Sequence, residues 1–297
     1  MQGTNEKGDA MPGRSRRVLA PNPSPMTGPG TWTDIIGQGV VAVIDPGPDL
    51  DSHLAAILAA LAPGETVGAI LVTHAHLDHS ALAPRLAAQT GAPVLAYGTA
   101  TEGRSATMAR WVGQGLTGGG EGIDQTFVPD RRLADGEVIS AGDWQLRALH
   151  TPGHMGGHLA FAWEDVLFCG DLVMAWAPSL VSPPDGDMGA YMASVRRLRG
   201  CGWRVLLPTH GAPVTDPDHR LAALITHRES REAQILAAIA EGPADLAAIT
   251  ARVYRDLAAD LVPAARRNAL AHLIDLEGKN LVSTFGPIAP EAIWTVG

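Results

Sequence analysis

The chain is poor in the residues that small secreted proteins rely on. Only two of its 297 residues are cysteines, Cys169 and Cys201. That is too few for a disulfide framework, and two thiols in a chain this long fit a reducing, cytoplasmic setting. Charged residues are sparse too, at 18%, and they lean acidic, with a formal net charge of −9 and an isoelectric point near 5.6. This excludes a protein held to a polyanion by bulk electrostatics and leaves room only for a local basic groove. No stretch reaches the roughly 18 consecutive apolar residues of a membrane span, so no membrane partner is expected. Residues 1–17 carry three arginines and lack the apolar core of a signal peptide, and they read as a disordered tail. Aromatics are few, with 3 Tyr and 4 Phe against 11 His. Where those histidines fall decides the function.

What is present is an α/β texture long enough to bury a large catalytic core beside a small accessory domain. Residues 40–44 and 67–73 are continuous apolar runs, the pattern of strands buried on both faces. Further strands are predicted at 93–97, 137–140, 144–149, 159–163, 166–169 and 205–208, and helices at 51–61, 80–89 and 188–199. Residues 18–30, broken by four prolines, form an extended lead-in. The Gly- and Arg-rich span 102–122 reads equally well as a flap or as a linker. After His227 the sequence is almost wholly helical, at 228–241, 245–254 and 263–277, and closes on a short strand at 281–285. Helix, helix, helix, strand is the order of a winged helix. The expected division is a tail at 1–17, a catalytic domain at 18–227 and a winged-helix domain at 228–297.

The chemistry is concentrated in His74-Ala75-His76-Leu77-Asp78-His79, directly after the apolar run 67–73. In extended backbone, side chains alternate faces, so His74 and His76 can meet one metal while Asp78 and His79, past the bend, reach a second. Three more apolar runs end in a metal-ligand residue: 144–149 leads to His154, 166–169 to Asp171 and 205–207 to His210. Strand ends converge on one rim in α/β folds. The resulting seven ligands suit two divalent ions that share one carboxylate. Mixed imidazole and carboxylate donors favour Zn2+, two per chain, and also admit iron or manganese. Such a pair of ions supplies a bridging hydroxide at neutral pH and hence hydrolysis without a Ser or Cys nucleophile, with Asp78 also orienting the hydroxide. His158 and His150 read as structural neighbours of this site, and His53, His219, His227 and His272 as packing or surface residues. Cys169 reads as an apolar filler, and Trp176 and Tyr191 as cleft or core residues.

These motifs, in this order over residues 18–227, resemble the metallo-β-lactamase superfamily, whose signature His-x-His-x-Asp-His stands at 74–79. The resemblance implies a four-layer αββα sandwich with a C-terminal winged helix. It assigns His74, His76 and His154 to a first metal, Asp78, His79 and His210 to a second, and Asp171 to both. The stretch 227–242, the stretch 263–280, the lead-in 22–31 and the run 183–187 also resemble the β-lactamase-like protein 2 group, some of whose members cleave single-stranded RNA. Two positions depart from that branch: Trp32 stands where Asn is usual, and Leu172 where many members have His.

The expected function is therefore a dinuclear zinc hydrolase acting on an ester, thioester, lactone or RNA phosphodiester. A dedicated β-lactamase is disfavoured, because those enzymes lack the bridging carboxylate that Asp171 supplies. A glyoxalase II is disfavoured by the different C-terminal part of such enzymes. From residue 228 onward there are seven basic side chains against nine acidic ones, a weak footprint for a nucleic-acid reader. The winged helix is left to shape the cleft, form a homodimer or hold RNA. A non-catalytic metal-binding regulator is the remote alternative, since a full ligand set has no purpose where nothing is hydrolysed.

Overall fold

The computed structural model describes residues 14–118, 122–284, 286, 288, 289 and 291–297. The elements run β1 (Ser15–Leu19), β2 (Trp32–Ile36), β3 (Val40–Ile44), α1 (Asp51–Ala59), β4 (Thr66–Leu71), α2 (Leu77–Ser80), α3 (Ala83–Thr90), β5 (Val94–Ala96), α4 (Ala106–Gly113) and β6 (Arg131–Arg132). There follow β7 (Val138–Ala141), β8 (Trp144–His150), β9 (Leu159–Trp163), β10 (Val166–Gly170), α5 (Met188–Leu198), β11 (Val205–Pro208), α6 (Pro217–Ala240), α7 (Leu246–Val253), α8 (Val262–Gly278), β12 (Val282–Thr284) and β13 (Trp294–Val296). β1 to β6 form one sheet in chain order, and the second sheet runs β11-β10-β9-β8-β7. Among the described residues no helix is long and apolar enough to cross a membrane.

The continuous apolar runs follow from having two faces to bury. In β3, Val41 and Val43 pack outward on Leu54 and Ile57 of α1 and Leu86 of α3. Ala42 and Ile44 point inward to Phe161, Phe168 and Leu207 of the second sheet. The outer face of that sheet, with Ala160, Leu167 and Cys169, packs on Tyr191 and Val195 of α5 and on Leu221 and Leu224 of α6. The result is the four-layer αββα sandwich. Phe161 and Phe168 are fully buried at its centre, where truncation to Ala costs about 3–5 kcal/mol.

Several segments differ from the sequence expectation. The tail does not extend to residue 17: Ser15, Arg16 and Arg17 lie in β1, paired antiparallel with β2. Arg16 is held by Glu65 at 2.7 Å and Arg17 by Asp34 at 2.9 Å, and these ion pairs offset the missing apolar pattern. Residues 1–13 of the expected tail lie outside the described residues, as do Gly119 and Gly120 of the glycine run and Phe285 of the last predicted strand. β2 itself is not apparent in the sequence because polar Thr33 and Asp34 interrupt its apolar pattern. Both are buried, Thr33 Oγ1 donating to the Asp45 carbonyl at 2.7 Å and Asp34 ion-paired with Arg17. Burial pushes the Asp34 carboxyl up to about 6 against the pull of Arg17.

The span 102–122 is neither a bare flap nor a linker, because α4 stands within it. Ser105 caps that helix by accepting from the Met108 amide at 3.1 Å. Met108 and Trp111 then enter the core of the C-terminal part, beside Ile235, Ile239, Leu246, Leu273 and Trp294. The expected boundary at 227/228 falls inside α6, a helix of 24 residues, about 36 Å long at 1.5 Å per residue. Its first half packs on the second sheet through Leu221, Leu224 and Ile225, and its last turns join the winged-helix core through Ile235 and Ile239. α6, α7 and α8 with the β12-β13 wing form the winged helix.

Within it His272 is 1% exposed, and neither ring nitrogen has a hydrogen-bond partner among the described residues. Burial pushes its pKa down to about 3. A histidine lowered in the folded state binds fewer protons than in the unfolded chain, so its contribution is intact above pH 6.5 and is lost as pH falls towards 3. The slope is about 1.4 kcal/mol per pH unit for one such group. Chemical denaturation of His272→Leu and the wild type at pH 7.5 and pH 5 should therefore show the variant losing less stability on acidification, by about 1.4 kcal/mol for each unit below 6.5. Equal losses in both proteins would refute the assignment.

Candidate metal centre

The site lies where strands of both sheets end. β4 delivers Thr73 and His74. His76 keeps an extended conformation as the N-cap of α2, and the single turn of α2 then brings Asp78 and His79 back towards His74. The turn is closed by the His79 and Ser80 amides donating to the His76 carbonyl at 2.9 Å each. His154 comes from the β8–β9 connection, Asp171 follows β10 directly and His210 follows β11. At the exit of β10, Gly170 has a φ of +51°, and a Cβ there would lie 2.5 Å from His158 Nε2. Only glycine fits that approach.

All seven sequence-predicted residues are brought together. His76 Nδ1 lies 2.8 Å from His74 Nε2 and 3.1 Å from His154 Nε2. On the other side Asp78 Oδ2 lies 3.2 Å from His210 Nε2 and 3.7 Å from His79 Nε2. Asp171 faces both groups. Its Oδ2 is 3.7 Å from His154 Nε2, and its Oδ1 is 3.6 Å from His79 Nε2 and 3.4 Å from His210 Nε2. Either trio, His74/His76/His154 or Asp78/His79/His210, could hold a metal ion. Five of the seven residues are buried, while His76 and Asp78 are partly open to the cleft.

Hydrogen bonds to the far ring nitrogens set which atom each histidine presents. His154 Nδ1–H donates to the Leu180 carbonyl at 2.6 Å, and His210 Nδ1–H to the Gly30 carbonyl at 3.2 Å. His79 Nδ1–H donates to Asp45 Oδ2 at 2.9 Å. Thr73 Oγ1 donates to the same Asp45 oxygen at 2.8 Å and so accepts from His74 Nδ1–H at 3.0 Å. Thr209 Oγ1 adds a third hydrogen bond to Asp45 Oδ2 from beside His210, at 3.0 Å, and the Thr73 amide donates to Oδ1 at 2.8 Å. One carboxylate thus orients ligands of both trios. Asp45 stands outside the set of seven predicted ligands. The signal was nevertheless there, since Asp45 ends the apolar run 40–44 just as the predicted ligands end theirs.

Electrostatics divide the cluster. Burial, with the neighbouring imidazoles, holds His74 well below the usual histidine range and His76 at about 3, so both keep a lone pair for a cation. For His79 burial is outweighed by the carboxylates of Asp78, Asp171 and Asp45, which hold it well above that range. His210 is raised to about 10 because Asp171 and Asp78 overcome its burial.

Two other histidines take supporting places. His158 Nε2 accepts the Asp171 amide at 3.2 Å, while its Nδ1–H faces Thr151 Oγ1 at 2.9 Å. It therefore holds the backbone of Asp171 and does not join either trio. His150 donates to the Gly156 carbonyl at 2.8 Å and stacks on Tyr97. Tyr191 is a core residue, fully buried. Trp176 is exposed, against Gly211. Cys169 is buried, and burial raises its thiol pKa out of the reactive range. Over the metal-ligand cluster lies a cleft of about 390 Å³. Met26, Met174 and Leu180 line it from the catalytic part, and Asp260, Pro263, Ala264 and Arg267 from the winged helix. The last four were not anticipated, because nothing in a sequence shows which face of α8 turns back over the sheets.

Comparison with known proteins places this arrangement. The model of the metallo-beta-lactamase superfamily matches residues 27–210, and that of the beta-lactamase associated winged helix domain matches residues 246–286. The beta-lactamase-like protein 2 homolog of Drosophila melanogaster is 29% identical over 280 residues, 90% of this chain and 89% of that protein. An atrochrysone carboxyl ACP thioesterase of Aspergillus fumigatus is 28% identical over 78% of this chain and 66% of its own length. In fold, the chain resembles a beta-lactamase domain protein from Burkholderia ambifaria, with a TM-score of 0.77 at 24% identity over 97% of this chain and 93% of that one. It is similar also to a metallo-beta-lactamase family protein from Thermus thermophilus, with a TM-score of 0.74 at 23% identity over 95% and 98% of the two chains. Ligand order, sandwich and appended domain therefore lead to one family, and the chain belongs to the metallo-beta-lactamase superfamily, in the form that carries a winged helix after the catalytic domain.

Proposed function

We propose that the protein is a dinuclear, zinc-dependent hydrolase of esters or thioesters with an apolar acyl group. The observation that carries this reading is the donor set itself. His79 Nε2 and Asp171 Oδ1 are buried and make no hydrogen bond among the described residues, and both point into the second group of ligands. Buried polar atoms without partners are costly, and a cation between them removes that cost. His74, His76 and His154 would hold one ion, Asp78, His79 and His210 the other, with Asp171 serving both. When bound, the ions supply Lewis acidity and a water acidified towards neutral pH as the nucleophile.

The chain's own residues do the rest. Asp78 is the more open of the two carboxylates of the set that line the cleft, placed to take the proton that moves from water to the leaving group. Met26, Met174, Leu180 and Pro263 offer apolar surface to an acyl chain and exclude water from the reacting carbonyl. Arg267 at the rim offers a guanidinium to an anionic part of the substrate. The cleft volume suits a small molecule, and a relative bears the name of a thioesterase. RNA is disfavoured because α8, which precedes the wing, packs against the catalytic domain. Its stretch from Pro263 to Asn268 lines the cleft and holds the segment beside His154, which takes that part of the helix away from a groove.

Metal analysis of the purified protein should find two ions per chain, zinc giving the highest activity against iron and manganese; less than one ion per chain would sink the reading. Asp78→Ala should lower kcat by about 10²–10⁴-fold, and Asp45→Asn should weaken metal binding by about 10–100-fold. A parallel assay of acyl thioesters, lactones, single-stranded RNA and nitrocefin should show turnover of the acyl substrates. RNA cleavage alone, lost in Asp78→Ala, would replace the substrate class proposed here. For substrates that carry a carboxylate, Arg267→Ala should raise KM by about 10–100-fold, from the loss of one charge-assisted hydrogen bond, and should raise KM for neutral substrates by clearly less.

A further inference from the structure

The geometry points to the winged helix as a working part of the metal centre: Arg228 of α6 and Asn268 of α8 are positioning residues for His154, acting through the segment 179–181. The inference rests on the reading of His154 as a metal ligand.

His154 has one hydrogen bond that fixes its ring, from Nδ1–H to the Leu180 carbonyl at 2.6 Å. A carbonyl can only accept, so this contact keeps the proton on Nδ1 and leaves Nε2 free to face His76. Leu180 lies in an irregular stretch between β10 and α5, where no ladder holds the backbone. It is held instead from the winged helix, on both sides of Leu180. Arg228 Nη2 donates to the Ser179 carbonyl, and the Val181 amide donates to Asn268 Oδ1 at 3.1 Å. Arg228 Nη1 donates to that same oxygen at 3.0 Å, and Asn268 Nδ2 donates to the Ala264 carbonyl at 3.1 Å, so the amide has only one orientation that satisfies every partner. The adjoining residue is tied too, since Ser182 Oγ accepts from Arg267 Nη1 at 3.0 Å.

Arg228 is what makes the arrangement more than packing. It is 2% exposed, its guanidinium lies over the Tyr191 ring at 5.1 Å, and among the described residues no carboxylate pairs with it. A buried cation without a counter-ion is costly, so its retention needs a use for its donors. Those donors hold the segment that orients His154. The opposite end of the segment reaches the neighbouring ligand, because Ser179 Oγ donates to the carbonyl of Leu172, the residue after Asp171.

The test uses the full chain loaded with cobalt or zinc. In Asn268→Ala and Arg228→Met, the affinity of one ion per chain, measured by competition with a chromophoric chelator, should fall by about 10–100-fold, with the other ion kept. The visible spectrum of the cobalt form should change at that site. Asn268→Asp, which keeps an acceptor for Val181 and Arg228 but loses the donor to Ala264, should recover much of the affinity; a merely structural role would make affinity follow Tm across Asn, Ala and Asp, without loss confined to one ion. Circular dichroism and Tm report whether each variant folds, and if Arg228→Met does not, Asn268, which is only partly buried, carries the comparison. Wild-type affinity for both ions in folded Asn268→Ala would overturn the inference and leave the hydrolase reading intact. A wild-type protein that binds no metal would overturn both.

Discussion

The carboxylate of Asp45 is the contact on which the site depends. It stands at the end of β3 with a φ of +50°, a conformation that Asp adopts more readily than most residues. From there it accepts the Thr73 amide, the Thr73 and Thr209 hydroxyls and the His79 ring. Thr73 belongs to the exit of β4 and Thr209 to the exit of β11, so one buried side chain pins the rims of both sheets together. Because Thr73 passes the bond on to His74, both groups of ligands take their orientation from the same anion. The anion is bearable in so dry a place because four donors surround it.

How much of this could be read from the sequence depended on whether the signal was local. The four candidate ligands of residues 74–79 fall within six residues, and His154, Asp171 and His210 each follow a short apolar run, so a pattern confined to a few residues was enough. The buried strands were legible for the same reason, since two covered faces leave no polar alternation. β2 was hidden by Thr33 and Asp34, whose burial is tolerable only because Arg17 and the Asp45 carbonyl lie opposite, outside the strand itself. The helix α4 was hidden by the glycines around it, because its stability comes from Met108 and Trp111 packing on a core built more than a hundred residues later. Asp45 and the α8 wall of the cleft belong to the same class: their roles exist only after the chain has folded.

The winged helix also takes part in the cleft. Such domains commonly leave the helix before the wing free to enter a nucleic-acid groove. In this chain α8 supplies Pro263, Ala264 and Arg267 to the cleft and Asn268 to the segment beside His154. The acidic balance of the C-terminal part, unhelpful for holding a polyanion, is no obstacle to lining a small apolar cleft.

α6 carries the last consequence. A single helix spans the two cores, with Leu221 and Leu224 in one and Ile235 and Ile239 in the other, and α4 ties them a second time through Met108 and Trp111. There is no flexible joint between the parts along this helix, so neither can melt while the other stays native without breaking α6 in its middle. The accessory part and the sandwich are thus coupled mechanically through α6 and α4, in spite of their being two named domains.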